Sequence, residues 1–579
     1  MKIINKGFLA IAMALALSGQ YSCNKMLDLK PLDEVADANY WKSAGDFKSF
    51  ANQFYGWRKD FGSMVFDGPH SDLRSDLITS LTPNLFSNGN NTIPTADGTY
   101  SDAFGKVRLV NTLLLKAAAY AAPAEVKQYV AEAKFFRAYV YFDLLQLYGD
   151  AIIVKSLLDV EAPELKAARN SRQEVSDFII ADLKDAIPSL PLQSAIAAAD
   201  QGRVSQGTAQ ALLSRVALFE GTWQKFRNNT ARATPLLDIA AKASLDVINS
   251  KEYSLFKPTV LGDSAQKYLF ILEDAKSNPA GIKKADNKEY IFVNRHDEVL
   301  NPIGLNITHT VFANVQYVSR KFVNLYLSNN GLPIDNVNNA AFQGYATMTS
   351  EFQNRDNRMK YTLMQANKPY WRESKPRVTW TGDAADLASA AYTSFLPTFN
   401  SGYHNQKWAA ERAVQTQLEG YDFPIIRYAE ILLNYAEAVY ERDGSISDAD
   451  LDLSLNLVRQ RVNTAMPKLS NGFVTTNNLN MRTEIRRERT IEFFNEGFRI
   501  DDLKRWKEAE NEMPQNVLGI KWQGTEFQTK WTSNTKPLNA DGCLIMESGR
   551  VWAQKNYLYP LPVDQLKLNP NLKQNPDWL

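Results

Sequence analysis

The feature that most constrains this chain is residues 124–148, AEVKQYVAEAKFFRAYVYFDLLQLY. Apolar side chains recur at Phe135, Ala138, Phe142, Leu145 and Tyr148, the spacing that lines up one face of an α-helix. Pro123 opens the run, where a missing N–H costs nothing, and Gly149 stands just past its end. Three more helices are predicted nearby: 171–190, where Ser171 and Glu174 fit a capping box, 205–223, rich in Ala and Leu, and 235–249. The pattern returns late in the chain, at 425–441 with 448–462, and at 481–494 with 496–508.

These helices come in pairs with Ala and aromatic residues on facing sides. Small residues let one helix sit closely on the next, as in tetratricopeptide-type packing, although no clean repeat of about 34 residues is present. Between about 255 and 420 the helical period fades, and Gly, Asn, Pro and Thr become frequent. Long loops are expected there, and loops on a helical scaffold are where binding surfaces usually lie. No low-complexity linker separates the parts.

The N-terminus reads as an address. Lys2 and Lys6 precede the apolar run FLAIAMALAL at 8–17, which is shorter than the roughly 20 residues a spanning helix needs. Small residues then lead to Cys23, with Gln20 where a lipobox usually has Leu. The expectation is a lipoprotein signal peptide at 1–22 and acylation of Cys23, each buried CH₂ contributing about 0.8 kcal/mol to membrane anchoring. No other segment is apolar and long enough to cross a bilayer.

Of 579 residues, 45% are apolar and 22% charged, and the net charge is +1. A near-neutral chain without a basic run has no electrostatic footprint for nucleic acid. Two cysteines, Cys23 and Cys543, make no disulfide framework. The four histidines, His70, His296, His309 and His404, lack metal-ligand spacing and read as polar packing residues. Gly105-Lys106-Val107 fails as a P-loop. Asp448, Asp450 and Asp452 fail as a calcium loop, because Leu453 and Arg459 stand where Gly and Glu are required. No nucleophile elbow or zinc-protease motif occurs, Cys543 reads as an inert structural thiol, and no cofactor is expected. Glu484, Glu488 and Glu492 share a helix face with Arg486, Arg487 and Arg489, and are read as a solvated, mutually paired surface; Arg427 and Glu430 are read as buried scaffold contacts.

Eight segments carry a further pattern. They are CNKMLDLKPLDE at 23–34, AEAKFFRAYVYFDLLQLYGD at 131–150, RNSRQEVSDFIIADL at 169–183, the helix at 202–218, NRDNR at 354–358, IRYAEILLNYAE at 426–437, IRRERTIEFFNEGFRIDDLKRW at 485–506 and YPLPVDQLKLNPNLKQN at 559–575. In this order they resemble the SusD/RagB family of outer-membrane nutrient-binding lipoproteins. The resemblance implies an all-α-dominated fold, with about four tetratricopeptide-like helix pairs and an irregular ligand-binding part packed on them. It implies an N-terminal part at 23–254 and a C-terminal part at 255–579 that form one unit. It also implies a non-enzymatic protein anchored in the outer membrane, facing outward, that delivers oligosaccharide to a SusC-like TonB-dependent transporter. Peptide capture, as in the RagB branch, and a lipid-anchored glycan-degrading enzyme are the alternatives.

A sugar presents apolar C–H faces and a belt of hydroxyls, which aromatic rings and Asn, Asp or Arg side chains match. Two stretches offer that mixture. One is 61–100, with Phe66, Asp67, His70, Asp72, Arg74 and Asp76. The other is about 317–408, with Tyr370, Trp371, Arg372, Trp380, Tyr403 and Trp408. At least one of Trp371 and Trp380, set among Lys, Arg, Ser, Thr and Gly, is expected to form the stacking platform. Tyr370, Arg372, Phe66, Asp72 and Arg74 are the other candidates.

Overall fold

The structure is a computed structural model that describes residues 40–578, apart from 275, 313–314, 373–374, 380–399 and 531–533. The leader, Cys23 and Trp380 lie outside the described residues. The helices α1 (Ala44–Asn52), α2 (Gly98–Ala118), α3 (Pro123–Tyr148), α4 (Arg172–Ala186), α5 (Gln206–Lys225) and α6 (Thr230–Ser250) build the first half. Pro123 and Gly149 bound α3 as expected, and Gly149 takes φ 77°. From Ala131 onward every α3 side chain except Lys134 and Asp143 is buried, because α2 and α4 pack on different sides of it. The predicted apolar stripe is thus one face of a helix buried all round.

Ser171 and Glu174 close the predicted capping box on α4, with the Ser171 hydroxyl accepting from the Glu174 N–H. Helix α6 begins at Thr230, five residues before the predicted start, and Pro235 lies inside it. Pro235 removes one backbone bond near the helix start, a loss that packing against α5 offsets. There the helices approach closely: a Cβ on Gly221 would meet the Leu237 side chain at 3.0 Å.

The middle of the chain is held by the short helices α7 (Arg320–Leu325) and α8 (Asn357–Thr362) and by two-stranded antiparallel ladders. In chain order, β1 (Ile78–Thr79) pairs with β3 (Tyr317–Val318), β2 (Tyr290–Asn294) with β6 (Phe423–Arg427), β4 (Pro369–Arg372) with β5 (Lys375–Thr379), and β7 (Val517–Lys521) with β8 (Cys543–Glu547). The C-terminal half contributes α9 (Tyr428–Asp443), α10 (Asp448–Leu453), α11 (Leu455–Arg459), α12 (Met481–Glu492), α13 (Arg499–Trp506) and α14 (Val563–Leu568). Helix α6 packs on α9, α9 on α12, and α5 on α13. One hydrophobic cluster runs through these elements from Phe47 to Leu572.

Three predicted helices need correction. Residues 425–427 are not helical but the end of β6, because the short apolar run FPII finds a strand partner at 290–294. The helix expected over 448–462 breaks at Ser454 (φ −133°, ψ −96°) into α10 and α11. The one expected from 496 begins at Arg499, because Gly497 takes φ 78° at a close contact with Met64 and the His70 carbonyl.

The largest correction concerns Glu484, Glu488 and Glu492. They are ion-paired, as expected, but they are buried rather than solvated. Arg358, fully buried, reaches Asp356 at 2.7 Å, Glu488 at 2.5 Å and Glu492 at 3.1 Å. Arg427 reaches Glu289, Glu492 and Glu496 at 2.7–2.9 Å, and Arg461 meets Glu289 and Glu492. Burial pushes the Glu492 carboxyl up, but Arg461, Arg427 and Arg358 hold it well below the usual carboxylate range. Arg427 and Glu430 are buried as expected, Glu430 pairing with Arg215 of α5 at 2.5 Å.

Candidate functional site

The two stretches singled out for ligand binding meet in space. β1 lies in the first and β3 in the second, with Ile78 opposite Val318 and Thr79 opposite Tyr317. Ser319 bonds back to the Leu77 carbonyl and caps α7 by accepting from the Phe322 N–H. Arg320 therefore stands at the first turn of a fixed helix. Helix α7 packs on β7, and β8 pairs with β7 through Val517–Glu547 and Lys521–Cys543.

Between these elements lies an open pocket of about 630 Å³, within the size range of small-ligand sites. Tyr345, half-buried, forms part of its wall. The Arg320 guanidinium lies 4.2 Å from the ring centroid, and the Lys521 ammonium lies 6.0 Å away. Phe342 packs edge-on against the same ring at 5.2 Å. Arg320 also donates to the Tyr403 hydroxyl at 3.2 Å, which donates in turn to Glu351. Asn324, Gln515 and Asn516 add amide groups. Deeper in, Asp76 is bound by Arg499 at 2.8 Å and Lys321 at 3.1 Å. Burial raises its carboxyl, but those two cations hold it well below the ordinary range. The result is one accessible aromatic ring bordered by hydrogen-bond donors and acceptors, the surface a sugar ring requires.

A second concavity, of about 340 Å³, lies among α2, residues 152–165 and α14. Phe104, Val154, Leu158, Leu165, Leu568 and Leu572 make its walls largely apolar, with less to offer hydroxyl groups.

The individual candidates fare differently. The backbone of Tyr370, Trp371 and Arg372 forms β4, but their side chains, like all of Trp380, lie outside the described residues. Phe66 is half-buried against the core. Asp72 is withdrawn as a ligand residue: it is fully buried and accepts the Asn495 N–H at 2.6 Å. Burial pushes its carboxyl up to about 7, against the pull of the Asn495 N–H. Arg74 is likewise a packing residue, 3.8 Å from the Phe86 ring centroid and bonded to Asp67 and the Tyr559 hydroxyl. His70 is buried against Asp501 at 2.6 Å. Tyr403 and Trp408 are core residues too. Trp408 donates its indole N–H to the Asn495 carbonyl and packs on Phe61, Phe270 and Phe423.

Sequence reasoning missed Tyr345, Arg320 and the β7–β8 hairpin. Arg320 and Tyr345 fell inside the stretch that was singled out, but nothing local marks them. The hairpin carries no short-turn signal, because 21 residues separate its strands. Among the described residues no cluster of His, Cys, Asp and Glu is arranged to hold a metal ion, and no helix is long and apolar enough to cross a membrane. Cys543 is buried in β8, and burial raises its thiol.

Comparison with known proteins bears on both fold and family. A SusD-like protein of Bacteroides ovatus is 23% identical over 276 residues, 44% of this chain and 46% of that protein. SusD-like protein P38 of Formosa agariphila is 25% identical over 182 residues, 30% of this chain and 35% of its own. The chain thus spans less than half the length of these relatives. Among solved structures, a SusD-like protein of Bacteroides fragilis superposes with TM-score 0.71 at 22% identity, covering 95% of this chain and all of that one. A SusD-like carbohydrate-binding protein of the same species gives 0.70 at 20%, covering 92% and 99%. A laminarin-binding SusD-like protein gives 0.56 at 18%, covering 93% and 100%. At such identities these likenesses establish the helical fold. The model described as "Starch-binding associating with outer membrane" matches residues 74–218. The SusD family model matches residues 277–578, more than half the chain and the part that carries the Arg427–Glu492 network and most of the pocket, so this chain belongs to the SusD family.

Proposed function

We propose that this chain is a non-catalytic, cell-surface glycan-binding protein that captures oligosaccharides and delivers them to a SusC-like TonB-dependent transporter. Residues 1–22 act as its leader, acylated Cys23 anchors it in the outer membrane, and 23–254 and 255–579 form the two parts of one unit. The observation that carries this reading is the pocket around Tyr345. An accessible aromatic ring, fixed by α7 and β7, is surrounded by amides and cations in a SusD-family chain. Solved relatives described as carbohydrate-binding and laminarin-binding support the ligand class. Trp371 and Trp380, with Tyr370 and Arg372, are proposed as further ligand-binding residues.

The test is calorimetry on a soluble form that starts after Cys23, against panels of oligosaccharides and peptides. Saturable glycan binding without turnover is expected. Tyr345→Ala should weaken it about tenfold or more, one decade being about 1.4 kcal/mol. Unchanged affinity in Tyr345→Ala, Trp371→Ala and Trp380→Ala would reject the platform. Peptide binding alone would move the chain to peptide capture, and turnover would make it an enzyme.

A further inference from the structure

The buried arginines of this protein divide into two groups. Most are matched to carboxylates: Arg137 with Asp182, Arg172 with Glu220, Arg203 with Glu132, Arg358 with Asp356 and Glu488, Arg427 with Glu492 and Glu496, and Arg505 with Glu437. Such matching is what burial of a charge demands. Among the described residues Arg355, Arg459 and Arg320 depart from the rule: Arg355 and Arg459 direct their N–H groups at backbone carbonyls, whereas Arg320 lines the pocket. Arg320 is 8% exposed, and among the described residues no carboxylate lies within ion-pair distance of it. Its contacts are the Tyr345 face and the Tyr403 hydroxyl, with Glu351 one hydrogen bond further away. Lys521 likewise has no carboxylate within ion-pair distance among the described residues, and it approaches the same ring.

The other charges of the pocket are accounted for. Lys321 is bound to Asp76 and Glu512, Arg487 to Glu484, and Arg550 lies 3.8 Å from Glu547. The guanidinium of Arg550 keeps one buried nitrogen, Nη1, without a hydrogen-bond partner. Asp335 and Asp541 also line the pocket, but both are exposed. Their charge is screened by solvent and salt, whereas Arg320 is fixed by α7. Two cations without a direct carboxylate partner among the described residues therefore flank the Tyr345 ring, where a bound sugar would stack.

We propose that this pocket selects anionic glycans, with a carboxylate or sulfate group of the sugar received by Arg320 and Lys521 while the ring stacks on Tyr345. The proposal rests on the glycan-binding reading of the same pocket and adds the charge of the ligand. A planar guanidinium presents paired N–H donors that match the two oxygens of a carboxylate or sulfate, and Lys521 adds a point charge from the β7 side.

The experiment uses matched ligands that differ only in charge, measured by calorimetry on the soluble chain at low and high salt. One arm compares oligogalacturonate with its methyl ester. The other compares a sulfated carrageenan oligosaccharide with its desulfated form. The charged member of at least one pair should bind about tenfold or more tightly, and the gap should narrow as salt rises. The arm that shows the gap identifies carboxylate or sulfate as the group received. Arg320→Gln and Lys521→Gln should each shrink the gap, while Tyr345→Ala should weaken both members of the pair. Lys521 is only partly buried, so its variant keeps the test open if Arg320→Gln folds poorly, which thermal melting checks. Equal affinity for both members of each pair, or a gap that both substitutions leave intact, overturns the proposal. Binding restricted to neutral glycans overturns it while leaving the glycan-binding reading in place. Silence toward every glycan overturns both.

Discussion

Two regions of this molecule handle charge in opposite ways. Where α9, α11 and α12 meet β6, Arg358, Arg427 and Arg461 share Glu289, Glu488, Glu492 and Glu496 at 2.5–3.1 Å, almost without solvent contact. In the pocket between α7 and β7, Arg320 and Lys521 face an aromatic ring instead. A buried ion is costly unless paired and hydrogen-bonded. The first arrangement satisfies each charge internally and so has nothing left for a ligand. The second leaves its cations without a direct carboxylate, the partner an anionic ligand would supply. The motif-rich arginines and glutamates are therefore framework, and the motif-poor pocket is the place to look for recognition.

The comparison breaks most readily at Glu492. Glu492→Ala takes one carboxylate from each of three buried arginines and is expected to destabilise the protein by about 3–5 kcal/mol, or to prevent folding. Arg320→Gln loses one cation–π contact and one hydrogen bond and should cost about 1–2 kcal/mol. Urea unfolding of both variants checks this, and equal losses would erase the distinction between the regions.

A pH effect comes next. The buried Asp72 carboxyl titrates near 7 in the folded protein against an ordinary 3.8. Below about pH 4 the group is protonated in both states. As pH rises from there to 7 the unfolded chain loses the proton first, so this contribution to stability is lost as pH rises. Asp72→Asn should flatten that decline, and the variant should gain on the natural chain at pH 8 relative to pH 4. Urea midpoints across that range measure it; a constant difference would show that Asp72 is ionised in the fold.

The smallest effect belongs to the scaffold's helix ends. Ser171→Ala removes the acceptor for the Glu174 N–H and should cost about 1 kcal/mol in thermal or urea unfolding. It should leave ligand affinity unchanged, because α4 contributes nothing to the pocket's lining.

What the chain by itself determined was the helical framework. The periodicity of 124–148 with its Pro and Gly boundaries, the Ser171–Glu174 box, and the Arg and Glu residues of 485–506 are local patterns, and local patterns survive in a one-dimensional reading. The reading failed where the deciding partner is distant. Residues 425–427 became strand because Tyr290–Asn294 pairs with them. Glu492 is buried because Arg427 and Arg461 arrive from other elements. Asp72 and Trp408 left the candidate surface because Asn495 donates its N–H to Asp72 and accepts the Trp408 indole N–H at its carbonyl. The pocket is the extreme case. Tyr345 sits in an aperiodic loop, Arg320 at the start of a short helix, and Lys521 on a strand whose partner begins at Cys543. No spacing in the chain links them. They form one site only because β1–β3 pairing and the packing of α7 on β7 bring them together, and contacts of that kind are set by the whole core rather than by any segment.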